Sequence, residues 1–473
     1  MKKFYLSFVA MFLAAVTASA EDFMYEGLAY NILNENIHSV EVTTPTAGYT
    51  NLGGDLVIPR TVYNNGQGYG VVSIGKRAFR NCTAITSVTI PSSVEIIGQE
   101  AFWQCTNLAT INFAQNSTTL KEIGQSAFRG TAITSATVPD GVKRIFSSAF
   151  QDCTNLTTVI LPNGMEELST SSFADCTKLT TVNLPEGIYY IRGTLFSRCT
   201  SLKSVTIPKS VKVIEEQAFL SSGLTSITIP SNVERINARA FAECKNLTTV
   251  TIPSTVTDIA SGLFRDCTGL TSVNIQNNTI DEYEFNGCTS LKTVTIGSNL
   301  NNLDVRLHLN YGAFLDCPIE TLNIGSNLAA NIALYPDAKS TLKTLNLTDG
   351  VTDLPESAFE GCSELEKVTL PSGLKSIGNA AFKNCTRMGD LYAKMAKPFA
   401  IDASVFSGVQ QHGYCDLHVP QGSKVRYAAM EVWKEFTIIT EDAGSAPKRG
   451  DVNEDGDVTI ADVVAVLNIM AGQ

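Results

Sequence analysis

Residues 86–108 read TSVTIPSSVEIIGQEAFWQCTNL, and residues 248–270 read TTVTIPSTVTDIASGLFRDCTGL. The two stretches share one layout. Val88 and Ile90 alternate with Ser87 and Thr89, the period of two that marks a half-buried strand. Pro91 ends the run, because proline brings no N–H to a ladder. A second apolar pair, Val94 and Ile97, comes next, then Ala101-Phe102, then Cys105-Thr106.

The layout recurs along the chain. Its Phe returns as Phe79, Phe102, Phe128, Phe150, Phe173, Phe196, Phe219, Phe241, Phe264, Phe285, Phe314, Phe359, Phe382 and Phe406, mostly at intervals of 22 or 23 residues. These fourteen positions take most of the 22 Phe in the chain, so the column is a structural register. A unit this short cannot bury its own apolar face and must stack on its neighbours. The spacing lengthens between residues 297 and 350, where a bulge or longer loop is expected. Stacked repeats grow without the size limit of a single core, so the 473 residues do not translate into a count of ordinary domains. The net charge of −11, with no Lys/Arg-rich run, argues against nucleic acid or an anionic membrane as partner.

The pattern L-x-x-V-x-I-P…I-x-x-x-A-F-x-x-C-x-x-L over residues 70–440 resembles the BspA-like leucine-rich repeats of bacterial surface proteins. The resemblance implies a β-rich leucine-rich-repeat solenoid of about 14–15 coils with a parallel strand ladder. Residues 21–70, with GLAYNIL and GGDLVIPRTV, resemble the N-terminal β cap of that family, and residues 71–387 the solenoid proper. Residues 388–440, with YCDLHVPQGSKVRYAAMEVWKEF, resemble its closing cap.

The first twenty residues carry Lys2 and Lys3, an apolar stretch from Phe4 to Val16, and the small residues Ala18-Ser19-Ala20. This is the pattern of a secretory signal peptide cleaved before Glu21. No later segment has the run of about 18 apolar residues that a membrane span needs, so no membrane insertion is expected. The expected location is secreted or at the cell surface.

Twelve Cys in an exported chain suggest disulfides. Eleven of them, however, stand three residues after a Phe of the column, which favours small buried fillers over bridges. Gly70 to Arg77 nearly spells a phosphate loop, but Arg77 stands where a magnesium-reaching hydroxyl is required, and the segment is in register with the repeat. The four His, His38, His308, His412 and His418, lie in no metal-protease or hydrolase motif. The acid pairs Glu166-Glu167 and Glu215-Glu216 could in principle act on a glycan, but solvated pairs at turns are far commoner. No enzyme is expected.

The outward strand positions form two columns. One runs Ser87, Thr110, Ser135, Thr158, Thr181, Ser204, Ser226, Thr249, Ser272, Thr293. The other runs Thr89, Asn112, Thr137, Ile160, Asn183, Thr206, Thr228, Thr251, Asn274, Thr295. Ladders of like side chains and simple β-propensity account for such columns. So does an extended binding face of the kind solenoids provide.

After a linker of small and polar residues, 441–450, the last stretch (451–473) begins DVNEDGDVTIAD. Asp451, Asn453, Asp455, Thr459 and Asp462 place side-chain oxygens at positions 1, 3, 5, 9 and 12 of a loop. Gly456 stands where the chain must turn, and Asp457 offers its carbonyl at position 7. Calcium needs six to eight oxygens, and clustered carboxylates repel until a cation neutralises them. A Ca2+ loop followed by a helix with an apolar face (Val463 to Met470) is the reading. Asp at position 12 makes the segment resemble a single dockerin repeat. That resemblance implies calcium ligation by Asp451, Asn453, Asp455, Asp457 and Asp462, and contact of Ile460 and Ala461 with a cohesin-like module. Dockerins carry two such repeats, and one is seen here.

Two functions follow as expectations. The first is a secreted or cell-surface binding and adhesion protein whose solenoid recognises a host matrix protein, mucin or glycan, with the calcium tail serving attachment. The alternative is a dockerin-borne accessory component of a polysaccharide-degrading assembly.

Overall fold

The computed structural model describes residues 21–442 apart from 51, 115–116, 277–278, 281–282, 298–307, 310–312 and 328–335. The leader (1–20), the linker from 443 and the calcium loop and helix (451–473) lie outside the described residues. The chain divides into two compact units, Met1–Ile188 and Tyr189–Gln473.

The first unit opens as an antiparallel cap. Phe23–Tyr25, Leu28–Asn34 and Ser39–Thr43 pair in turn. Ser39–Thr43 then pairs in parallel with Gln67–Ile74, which begins the coils. Most coils contribute one short strand to each of two parallel ladders. The expected ladder runs through Gly54–Val57, Ile85–Ile90 and Thr110–Phe113, and again through Ser135–Thr137, Thr158–Ile160 and Thr181–Val182. The second, which the sequence showed only as an apolar pair, runs through Gln67–Ile74, Ile96–Ile97, Glu122–Ile123, Arg144–Ile145 and Glu167–Leu168. Gly98 and Gly124 follow this ladder because backbone crosses them closely. A Cβ on Gly98 would stand 2.8 Å from the Gly75 carbonyl carbon, and one on Gly124 2.6 Å from that of Gly98.

The Ala-Phe turn makes a third ladder. Glu100 and Gln104 take left-handed φ angles of 55° and 58°, as do their counterparts Ser148 and Asp152 at 60° and 61°. This alternation points Glu100, Phe102 and Gln104 N–H groups at the carbonyls of Gln125, Ala127 and Arg129 in the next coil, at 2.7–2.8 Å. Non-glycine residues tolerate the left-handed region here because each turn gains these inter-coil bonds.

In the second unit, Tyr190–Ile191, Val213–Ile214, Arg235–Ile236 and Asp258–Ile259 form a ladder of this second kind, called the inner ladder below, with the ladder of the longer strands called the outer one. The other ladder is a nine-stranded parallel sheet: Thr249–Ile252, Ser272–Ile275, Thr293–Ile296, Thr321–Ile324, Thr344–Leu347, Lys367–Leu370, Asp390–Ala393, Asp416–Pro420 and Ile438–Asp442. The residues Ser204–Ile207 and Ser226–Ile229 keep the alternating burial but belong to no ladder, unlike the columns read from the sequence. The lengthened spacing falls between Thr293 and Thr321, paired strand residues 28 apart, and most of that connection lies outside the described residues. The next coil, from Thr321 to Thr344, has the ordinary 23-residue spacing and carries a six-residue helix, Pro336–Thr341. Glu441 and Asp442, assigned above to the linker, complete the last strand, opposite Val419 and Pro420.

The Phe column is a stack in each unit. In the first, Phe79, Phe102, Phe128, Phe150 and Phe173 follow one another at 5.2–5.7 Å with nearly parallel rings. In the second, Phe196 to Phe314 stack at 5.2–5.5 Å and Phe359, Phe382 and Phe406 at 5.7–5.8 Å. Each pair adds about 0.5–1.5 kcal/mol beyond its buried area. Tyr49 tops the first stack, 5.5 Å from Phe79, with its hydroxyl donating to the Thr43 carbonyl at 2.7 Å. Trp433 and Phe436 close the last one, edge-on to Phe406 at 5.7 and 5.3 Å.

All twelve Cys are free, eleven of them fully buried. Their conserved place in the repeat has a second cause besides volume. The thiol donates to the carbonyl of the Phe one coil back, as from Cys105 to Phe79 at 3.0 Å and from Cys267 to Phe241 at 3.1 Å. Two coils without Cys put Thr131 and Ser222 at the same place, each 3.3 Å from the next thiol, Cys153 and Cys244. Burial pushes the Cys105 thiol up to about 12 and Cys153 up to about 11, so these groups stay protonated and inert.

Candidate interaction face

The outward side chains of the two ladders differ in kind. On the inner ladder of the first unit, Arg144 sits between Glu122 and Glu166 of the coils on either side, at 2.6 and 3.6 Å. In the second unit Lys212 meets Glu234 at 2.7 Å and Arg235 meets Asp258 at 2.7 Å. These charges are neutralised within the chain. Of the two acid pairs noted in the sequence, Glu166 meets Arg144 and Glu215 meets Arg192 and the Gly193 N–H at 2.9 Å across coils, while Glu167 accepts from the nearby Ser169 hydroxyl at 2.6 Å and Glu216 from its neighbour Gln217 at 3.4 Å.

The outer ladder is uncharged over most of its length. In the nine-stranded sheet, Thr249 and Thr251 are exposed, while Ser272, Asn274, Thr293, Thr295, Thr321, Asn323, Thr344 and Asn346 are half-buried by each other. The Asn346 amide donates to the Asn323 side-chain oxygen at 2.8 Å, and the Asn323 amide donates to the Thr295 hydroxyl at 3.0 Å. Each amide spans one rung, which fixes the row and leaves its remaining lone pairs and hydroxyls facing solvent.

The last four strands break the neutrality. Lys367, Asp390, Asp416 and Ile438 succeed one another in one column, and Thr369, Tyr392, His418 and Thr440 in the other. The Tyr392 and His418 rings lie parallel, 4.2 Å between centroids. The Lys367 ammonium lies over the opposite face of Tyr392, 4.6 Å from its centroid. His418 Nε2 is 2.9 Å from Asp390 Oδ1, and Nδ1 is 2.8 Å from the Thr440 hydroxyl and 3.7 Å from Asp442. The carboxylate on the imidazole fixes its orientation. These aromatic and charged positions were missed because the sequence columns ended at Thr293 and Thr295. A signal was present: D-L-H-V-P in residues 416–420 keeps the strand alternation and its closing Pro.

The calcium-site residues Asp451, Asn453, Asp455, Asp457, Thr459 and Asp462, with Ile460 and Ala461, lie outside the described residues. Among the described residues no group of three or more His, Cys, Asp or Glu could hold a metal ion. Among them, too, no helix is long and apolar enough to cross a membrane.

Short parallel strands, one coil per repeat and a stacked Phe spine define a leucine-rich-repeat solenoid. A family model described as the BspA type leucine rich repeat region matches in 6 copies across residues 72–203, 121–236, 212–335 and 307–412, and the chain belongs to that family. Among solved structures it is similar to a leucine-rich repeat protein from Bacteroides ovatus, at 27% identity over 78% of this chain and 94% of that one, with a TM-score of 0.56. It is also similar to a leucine rich cell surface protein from Faecalibacterium prausnitzii, at 25% identity over 76% of this chain and 97% of that one, with a TM-score of 0.39. No curated protein matches the chain.

Proposed function

We propose that the chain is an exported, surface-acting binding protein whose outer strand face in residues 249–442 recognises another macromolecule. The observation that carries this reading is the contrast between the ladders. The inner ladder spends its charges coil to coil. The outer one presents an ordered row of hydroxyls and amides, held by the bonds from Asn346 to Asn323 to Thr295, and ends in a charged, aromatic group. A pre-ordered polar row costs little further entropy on binding. The leader-like residues 1–20 support export. The test is a binding screen of the full chain against matrix proteins, mucins and glycans, repeated with Asn323→Arg, which projects a long cation from the middle of the row. Binding that this substitution abolishes supports the face. Binding indifferent to it sinks the proposal.

The spacing of Asp451, Asn453, Asp455, Asp457, Thr459 and Asp462 favours a second role for the tail, which binds Ca2+ and attaches the protein to its surroundings. In the dockerin-like version, Ile460 and Ala461 meet a cohesin-like module and the protein serves a polysaccharide-degrading assembly. Calorimetric titration with Ca2+, and a cohesin pull-down with and without Asp451→Ala plus Asp455→Ala, separate these roles. No heat of calcium binding removes both, and calcium binding without capture removes only the assembly.

A further inference from the structure

The strand Ile438–Asp442 ends the nine-stranded sheet and, among the described residues, pairs with Asp416–Pro420 alone. Its other edge is a row of backbone N–H and C=O groups without a neighbouring strand. An open edge of this kind templates pairing with another chain unless a helix or loop covers it. The side chains around the edge suit such a cover. Ile438 is 39% exposed, and Val425 and Tyr414 are 80% and 74% exposed. Val425 belongs to the short helix Lys424–Ala429, whose Lys424 N–H donates to the Glu441 carboxylate at 3.0 Å. Tyr414 follows Gly413, whose N–H donates to the Thr437 hydroxyl at 3.0 Å. An open apolar side chain thus stands by each end of the strand.

The chain itself continues from Asp442 into residues 443–473, which lie outside the described residues. Val463, Val466, Leu467 and Met470 fall at i, i+3, i+4 and i+7, the spacing of one helix face. The loop and helix 451–473, taken alone, are too short to enclose that face. Eight helical residues span about 12 Å and five strand residues about 16 Å, so a helix over 463–470 matches most of the edge. The linker 443–450 reaches about 26 Å when extended, enough to turn the helix back over the strand it follows.

We propose that residues 463–470 fold as a helix whose Val463, Val466, Leu467 and Met470 pack on Ile438, Val425 and Tyr414 and cover the open edge of the sheet. The calcium dependence of this contact rests on the reading of the tail given above. Tethering holds the tail at an effective concentration in the millimolar range, so a contact too weak to join separate molecules suffices within one chain.

The experiment measures hydrogen exchange at Ile438–Asp442 in the full chain, in Ca2+ and in chelator, with Leu467→Asp and Val425→Glu alongside. Exchange about tenfold slower in Ca2+ than in chelator is expected, a difference abolished by Leu467→Asp and reduced severalfold by Val425→Glu. Val425 is largely exposed, so its substitution should leave exchange at Asp390–Ala393 unchanged, which separates lost docking from lost folding. A heat of calcium binding without any change at Ile438–Asp442 overturns the docking and leaves the calcium tail standing. Absence of that heat removes the calcium reading, and the variants then decide the docking. Faster exchange in Leu467→Asp than in the unaltered chain keeps it, and equal exchange in all three proteins overturns it. Protection that rises with protein concentration, together with a dimer in sedimentation, gives the edge to a second copy and overturns it as well.

Discussion

The inner and outer ladders are built from the same coils and rest on the same core, yet their outward faces differ. The inner one carries Glu122, Arg144 and Glu166 in mutual contact; the outer one carries Thr295, Asn323 and Asn346. Opposite charges one rung apart satisfy each other and leave a face that is electrostatically finished. Hydroxyls and amides satisfy each other only in part, since each retains donors or acceptors toward water. Stacking thus turns a small difference in composition, repeated per coil, into one closed surface and one open one.

The largest effects are expected in the core that both ladders share. Burial holds Cys105 and Cys153 protonated to about 12 and about 11, well above their ordinary 9.0. A thiol whose folded pKa is raised favours the fold while the unfolded chain is also protonated. That advantage is lost once the unfolded thiols ionise. Stability should hold through neutral pH and then fall above about pH 9, by on the order of 1 kcal/mol per thiol per pH unit, until the folded thiols titrate. Denaturation midpoints at pH 7, 9 and 10.5 check this. A flat profile would mean that the thiols are not buried as described.

Removing one ring of the spine comes next. Phe241 is fully buried between Phe219 at 5.2 Å and Phe264 at 5.4 Å. Phe241→Ala should destabilise the second unit by about 3–5 kcal/mol and loosen both ladders together, visible in hydrogen exchange at Arg235–Ile236 and Thr249–Ile252 alike. Loosening of one ladder alone would show that they do not share a core.

The smaller effects separate the faces. Asn323→Ala removes two rung-spanning bonds and should cost about 1 kcal/mol in stability, while reducing ligand capture more than any inner-ladder change. Arg144→Ala should cost at most about 1 kcal/mol, because its ion pairs are partly exposed, and should leave capture unchanged. If Arg144→Ala abolished capture and Asn323→Ala spared it, the roles of the two faces would be reversed.

The outer ladder shows how much of the site could be read in advance. Thr249, Ser272 and Thr293 were legible because the repeat holds their spacing at 21–23 residues. Tyr392 keeps the spacing, 23 residues after Thr369, but His418 follows 26 residues later, so the period fails between them and only the alternation of residues 416–420 marks the strand. Their stacking depends on how the intervening loop returns the chain to register. The same holds for Tyr49 on Phe79 and for Trp433 and Phe436 on Phe406, which cap the spine without sharing its motif.

The sequence by itself determined the coil, its outward and inward positions, and the Phe and Cys columns. These follow from alternation and a fixed repeat, which are properties of neighbouring residues and of identical units stacked on one another. Only the tertiary structure decided that a second strand forms at Ile96–Ile97, that thiols bond Phe carbonyls, and that Asp416 stands beside Asp390. Those facts concern groups one coil apart in space and twenty or more residues apart in the chain. Their contact depends on loop lengths that no local pattern specifies.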